Sequence, residues 1–347
     1  MNLADRPTSS PLQTLLHDLP PMPHPPVTDS HLLHIMRALQ AQGLDRLPLP
    51  GHGKTLQRWQ ALAQVAGHDL SLAKLYEGHT DALAILTECD VHHLQDQGIW
   101  GVWAAEPPYA KTRIVKRQGA RVSLSGRKAW CSGASQISRG LLTAWDENDQ
   151  QQLVAISLPD PTQQLDTSAW QAVGMAATHS VEIEFFETPA YLIGQPGDYL
   201  ARPGFWHGGA GIAACWYGAS AALAEYLRAS CRTRRTDAHA YAHLGAVEAA
   251  LSGAASALRQ CATWIDRQPQ ADASTPVRSV RAVVEQAANQ VLDHVGRALG
   301  ATPYCQDRRF AQLSADLPVY LRQSHAERDL AELGQHVAQA PAGSWQL

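Results

Sequence analysis

The sequence predicts an α+β fold in three zones: an N-terminal α-helical domain, a central antiparallel β-barrel or sandwich, and a C-terminal four-helix bundle. Three patterns predict it. Apolar residues recur at helical spacing over 28–97, short alternating runs broken by Gly, Pro, Asn and Asp occupy 98–203, and four long Ala-rich periodic segments fill 204–347. At 347 residues, 45% of them hydrophobic, the chain is long enough to bury a large core in two or three domains.

Residues 1–27 end in a run of prolines, at Pro20, Pro21, Pro23, Pro25 and Pro26, and read as a stiff, extended lead-in. "SHLLHIMRALQAQG" follows with an apolar stripe at Leu32, Leu33, Ile35, Met36 and Leu39. Thr28, Asp29 or Ser30 is available to cap it, and Gly43 to stop it. "TLQRWQALAQVAGHD" predicts a second helix ending near Gly67, and "SLAKLYEGHTDALAILTECD" a third. Gly78 inside the third costs about 1 kcal/mol relative to Ala, which implies a close neighbour.

The texture changes at Gly98. "IWGVWAAEPP", "RIVKRQGARVSLSGRKAW", "GLLTAW", "QLVAISL" and "VEIEFF" read as strands, with "RQGAR" and "DENDQQ" as hairpin turns. "RVSLSG" and "VEIEF" alternate as half-exposed strands do. The last zone holds "GIAACWYGASAALAEYLRASC", "AYAHLGAVEAALSGAASALRQCATWID", "PVRSVRAVVEQAANQVLDHVGRALG" and "DLPVYLRQSHAERDLAELGQHV", four periodic segments with polar links, as a bundle requires.

A net charge of −4 with scattered Lys and Arg excludes bulk nucleic-acid binding. "RTRRTDAH" (232–239) is the one dense basic cluster. The six cysteines form no CxxC pair and read as free thiols of a cytoplasmic protein. The start lacks an apolar signal core, and no segment approaches membrane-spanning length, so no membrane partner is expected.

Three motifs fail on inspection. "GHGKT" (51–55) ends like a phosphate-binding loop, but Pro48 stands where that motif needs its first glycine and no strand precedes it; a turn capping the second helix is expected. "GAGIAA" (209–214) fits a loose dinucleotide pattern without a βαβ unit and reads as close helix packing. His239 and His243 have metal-pair spacing, yet Ala240 replaces the Glu of HExxH and no third ligand is evident.

"GRKAWCSGAS" (126–135) poses a sharper question, because it sets Trp130 two residues before the hydroxyl of Ser132 at a strand end. It is one of five stretches that resemble, in order, elements of the acyl-CoA dehydrogenase superfamily. "GVWAAEPP" resembles the strand entering the family's T-E-P segment, and "LSGRKAWCSGAS" its G-x-K-x-[WY]-I-[ST]-N element. "VGMAATHSVEIEFFETPAYLIGQPGDY", "CRTRRTDAHAYAHLGAVEAAL" and "LGATPYCQDRRFAQLSADLPVYLRQSHAERDL" resemble later elements, over about 230 residues in all. The resemblance implies FAD held between the β domain and the bundle, with the Trp130 indole covering one ring face and the Ser132 hydroxyl at flavin N5. It also implies that Trp103 and Ala105 line the flavin side, and that Arg232 and Arg235 pair with the diphosphate. A homodimer or homotetramer would oxidise an acyl thioester, of CoA or a carrier protein, at its α,β bond and pass electrons to an electron-transfer flavoprotein.

The chain departs from that pattern where the chemistry is done. The family's carboxylate base falls on Ser324, beside His325, or at an alternative place on Gly208, beside His207. No Glu falls on either place, although Glu327 reaches the first if the loop shifts by a turn; His325 and then His207 are the candidate bases, since an imidazole suits pH 7. The family's A-G-S-D after T-E-P is missing from "EPPYAKTR". These departures leave two alternatives: a flavin-dependent monooxygenase or oxidase on the same fold, or a non-catalytic relative without flavin.

Overall fold

The structure, a computed structural model, describes residues 10–19, 30–96, 98–233 and 238–346. They fall into two compact units. One holds the chain up to Leu47 with Ser71–Gln171 and Ala176–Leu200; the other holds Pro48–Leu70, Ala172–Met175 and the chain from Ala201 onward.

The chain opens with helices α1 (Pro11–Asp18), α2 (Ser30–Ala41), α3 (Thr55–His68) and α4 (Leu70–Glu88). α1 corrects the expectation of an extended lead-in. Ser10 and Gln13 form a capping box, Pro11 occupies the first turn where its missing N–H costs nothing, and Leu12, Leu15 and Leu16 are buried. The prolines that suggested extension lie outside the described residues.

In the first unit, His79 of α4 is fully buried and ties the helix to the strand that follows. Its Nδ1 accepts the Trp100 N–H at 3.2 Å, so Nε2 carries the proton and donates to Asp45 Oδ2 at 3.1 Å. The strands are β1 (Trp100–Trp103), β2 (Thr112–Gln118), β3 (Arg121–Cys131), β4 (Arg139–Trp145), β5 (Gln151–Ser157), β6 (Gln163–Asp166) and β7 (Val181–Ile193). They form one sheet in the order β1-β4-β2-β3-β7-β5, with β6 on β7. β5 also pairs with β4, so the pairings run round in a circuit. The sheet is mixed rather than wholly antiparallel, because β1 and β2 both meet β4 in parallel. Gly78 of α4 faces β1, where an added Cβ would lie 3.7 Å from Val102 N, an ordinary contact. The close neighbour expected there is a strand backbone that leaves room for a methyl group.

The short helix α5 (Asp198–Ala201) precedes the helices of the second unit: α6 (Gly204–Thr233), α7 (Ala238–Arg267), α8 (Ser274–Leu299), α9 (Thr302–Gln306), α10 (Arg308–Leu321) and α11 (Glu327–Ala338). Among the described residues no helix is long and apolar enough to cross a membrane. "GAGIAA" lies inside α6, as close packing requires. α3 belongs to this unit, because an added Cβ on Gly218 of α6 would stand 2.1 Å from Ala63 O, so glycine alone allows the approach of the two helices. The "GHGKT" turn is capped from α7: Asp266 accepts from the Gly53 and Thr55 amides and, at 2.6 Å, from the Thr55 hydroxyl. A carboxylate thus takes the donors that a phosphate would need.

The fourth periodic segment is two helices, not one. Ala326 between α10 and α11 has φ 48°, its N–H bonds to Ser324 Oγ, and Asp329 accepts the His325 N–H. Short polar side chains here compete with the helical backbone for its own donors.

Asp316 of α10 is fully buried and holds the Ala172–Met175 strand of chain in this unit. Its Oδ1 accepts the Met175 N–H at 2.5 Å and Gln312 Nε2 at 2.7 Å. Burial pushes its pKa up to about 6 from 3.8, against the pull of those hydrogen bonds. A carboxyl whose folded pKa is raised favours folding most below the unfolded value, and this contribution is lost as pH climbs through 6. Relative to the wild type, Asp316→Asn is therefore expected to gain about 2 kcal/mol of stability between pH 4.5 and 7.5 in urea melts. Melts at a single pH are expected to separate two glycines: Gly218→Ala costs about 1–3 kcal/mol, whereas Gly78→Ala contributes about 1 kcal/mol.

Candidate active site

The first unit builds a site at the end of β3. β3 pairs antiparallel with β7, and the register slips between Lys128↔Ile183 and Cys131↔Val181, three steps against two. The extra residue is a β-bulge. Within it Trp130 takes φ 56°, a left-handed conformation that is unusual for a bulky side chain and costs about 1–3 kcal/mol. Ala129 and Cys131 on either side are fully buried, yet Trp130 is 54% exposed. A large aromatic is thus held outward by strained backbone, which packing alone would not select.

The residues below the bulge show what holds it. Lys128 is 2% exposed; its Nζ donates to Thr143 Oγ1 at 2.7 Å, Thr143 O at 3.0 Å and Glu106 Oε1 at 3.2 Å. Glu106 also accepts from the Thr143 hydroxyl and from Trp145 Nε1, both at 2.5 Å. Burial lowers the Lys128 pKa and the Glu106 carboxylate opposes that shift. The network ties the "EPP" segment to β3 and β4.

Ser132 is held at three points. Its N–H turns back to Trp130 O at 3.0 Å, its carbonyl accepts Trp103 Nε1 at 3.1 Å, and its hydroxyl lies 2.7 Å from Ser180 Oγ. Ser180 Oγ is in turn 2.9 Å from Thr178 Oγ1, and the Gly133 N–H donates to Thr178 O at 2.7 Å. A narrow cleft lined by Lys74, Gly78, Trp100, Trp103 and Ser132 adjoins this turn.

Of the expected site residues, Trp103, Trp130 and Ser132 come together here, with Ala105 partly exposed in the segment after β1. Trp103 itself is only 3% exposed, with its indole N–H on the Ser132 carbonyl. His207, His325 and Arg232 belong to the other unit. His207 is 3% exposed near Gly51 and Pro269, and its Nε2 has no hydrogen-bond partner. Burial, with the Arg202 charge, pushes its pKa down to about 4, so it is neutral at pH 7 and a weak base. His325 is exposed in the break before α11, with Nδ1 3.4 Å from Asp329 Oδ1. Arg232 is exposed in the last turn of α6, and Arg235 lies outside the described residues. His243 bonds His294 (2.9 Å between Nδ1 atoms) rather than pairing with exposed His239.

Sequence reasoning missed Glu106, Thr178 and Ser180 as parts of the site. Only Glu106 had a local signal, the T-E-P likeness; the hydroxyls are brought to Ser132 by β3–β7 pairing across nearly fifty residues of chain.

No protein-family model matches the chain, and no curated protein matches it by sequence. Solved structures do. Methanesulfinate monooxygenase MsuC from Pseudomonas fluorescens superposes with a TM-score of 0.77 at 19% identity, covering 96% of this chain and 98% of that one. TdsC from Paenibacillus sp. A11-2, in complex with FMN and indole, gives 0.74 at 17% identity over 88% and 90%. Nitrososynthase from Micromonospora carbonacea var. africana gives 0.76 at 17% identity over 89% and 90%. At such identities the likeness establishes architecture, and the architecture of this chain is the acyl-CoA dehydrogenase fold.

Proposed function

We propose that this protein is an FMN-dependent monooxygenase. The observation that carries the reading is Trp130, an indole turned outward by a strained bulge beside the Ser132 hydroxyl. An isoalloxazine ring has two large faces to desolvate and a polar edge to satisfy; Trp130 offers the apolar face and Ser132 the edge partner. The chemistry a flavin supplies when bound is two-electron reduction of dioxygen, one oxygen atom going to the substrate and the other leaving as water.

Two arguments favour oxygenation over thioester dehydrogenation. Dehydrogenation needs a base for the α-proton, and the expected places offer a buried His207 with a pKa near 4 and a His325 beside Asp329. The similar structures include MsuC, described as a methanesulfinate monooxygenase, and TdsC, described as a dibenzothiophene monooxygenase. FMN replaces the expected FAD because TdsC and KijD3 are each described with FMN bound. The missing A-G-S-D also removes groups that the dehydrogenases use for phosphate and acyl-CoA.

The purified protein is expected to take up FMN more tightly than FAD. With photoreduced FMN and oxygen, it is expected to oxygenate members of a panel of indole, dibenzothiophene and methanesulfinate. Anaerobic bleaching of bound flavin by an acyl thioester would overturn oxygenation in favour of dehydrogenation, and failure to bind either flavin would leave the non-catalytic relative. Trp130→Gly separates seat from scaffold. Glycine accepts φ 56° without strain, so the variant is expected to unfold about 1 kcal/mol later in urea. It is also expected to bind FMN about tenfold to hundredfold more weakly, from the lost ring contact.

A further inference from the structure

The hydroxyls behind Ser132 form a chain: Thr178 Oγ1, Ser180 Oγ and Ser132 Oγ at 2.9 and 2.7 Å. Thr178 is 1% exposed and Ser180 is 7% exposed, while Ser132 at the outer end is half-buried. The backbone fixes the chain as well. Residues Ala176–Thr178 form a tight 3₁₀ turn, His179 takes φ 41°, and the Val181 N–H closes back onto His179 O at 2.8 Å. The Ser132 carbonyl, held by Trp103, anchors the backbone at the outer end, and hydroxyl protons turn about their C–O bonds.

Each hydroxyl has one proton to give and lone pairs to receive. Along a chain of three, donation therefore runs one way or the other. When it runs outward, from Thr178 to Ser180 to Ser132, the Ser132 proton is left for a ligand and the site is a donor. When it runs inward, Ser132 gives its proton to Ser180 and presents a lone pair, and the site is an acceptor. The N5 edge of a flavin asks for both in turn: oxidised, it accepts a hydrogen bond; reduced, it carries an N–H and donates one.

We propose that Ser180 and Thr178 are positioning residues that let Ser132 present a donor to oxidised flavin and an acceptor to reduced flavin by reversing the chain. This rests on the flavin reading above. A single hydroxyl could also rotate, but facing the reduced edge its proton would have no acceptor beneath a covering ring, and an orphaned buried donor is the costly case. Ser180 removes that penalty at Ser132, and Thr178 accepts from Ser180 one step deeper.

The test is the ratio of affinities for reduced and oxidised FMN, measured by anaerobic titration of the full chain. Ser180→Ala is expected to weaken reduced FMN more than oxidised FMN, shifting the ratio about tenfold. Thr178→Val is expected to shift it the same way by less, and Ser180→Thr, which keeps the hydroxyl, to leave it at the wild-type value. Should Ser180→Ala fail to fold, Thr178→Val and Ser180→Thr carry the comparison. An unchanged ratio in the variants that lose a hydroxyl, with Ser132→Ala still shifting it, would overturn the relay and leave the flavin site standing. A wild-type protein that binds neither form would overturn the flavin reading and the relay with it.

Discussion

An ammonium group inside a β-sheet cannot be left unpaired, and Lys128 sets the terms for everything built around it. Its Nζ is surrounded by the Glu106 carboxylate and both oxygens of Thr143. A buried pair of this kind contributes little over an apolar pair of the same shape, but removing one partner costs about 3–5 kcal/mol. Such a pair therefore buys position. Glu106 must stay beneath β3, which fixes the chain just after β1 and Trp103. Trp103 in turn holds the Ser132 carbonyl. The outer residues of the site are placed by charge pairing and hydrogen bonding below them.

That rigid base explains why the bulge can be tolerated. Lys128 is fixed on one side and Cys131 pairs with Val181 on the other, leaving two residues, Ala129 and Trp130, opposite the single Glu182 of β7. The excess is taken up at Trp130, whose left-handed backbone sends the indole away from the core. A one-residue slip of β3 would turn Trp130 to the other face of the sheet, and it would also take Lys128 away from Glu106 and Thr143. Strain at Trp130 is thus stored locally and offset by the pairing beneath.

Much of this was legible in the sequence where the pattern is local. The helical stripes, the alternating strands and the aromatic–hydroxyl spacing of Trp130 and Ser132 depend on neighbours a few residues apart. What escaped depends on partners far along the chain. α3 joins the bundle's unit through Gly67, Gly218 and the close approach they allow, which helix periodicity does not encode. Asp266 reaches the "GHGKT" turn from more than two hundred residues away. α1 was hidden for the opposite reason, because the density of prolines after it outweighed a capping box of only four residues. The break before α11 was also local, yet its cause is two side chains, Ser324 and Asp329, taking backbone donors that a helical reading assigns to the helix.

The proposed ring seat draws its apolar wall, Trp130, and its edge partner, Ser132, from the backbone of one sheet. A dehydrogenase needs in addition a base that stays ionisable at neutral pH and reaches substrate. His207 has the burial of a packing residue, with a pKa near 4. It would be ionised only in acid, and at pH 7 its lone pair is a poor proton acceptor. Oxygen transfer places no such demand on the protein, because the oxidising equivalent comes from dioxygen and the protein's tasks are to hold the ring, exclude water and keep the edge hydrogen-bonded in either redox state. A chain that keeps Trp130 and a three-hydroxyl column at Ser132, and whose base positions fall on Ser324 beside His325 and on Gly208 beside His207, fits the proposed oxygenation more closely than thioester dehydrogenation.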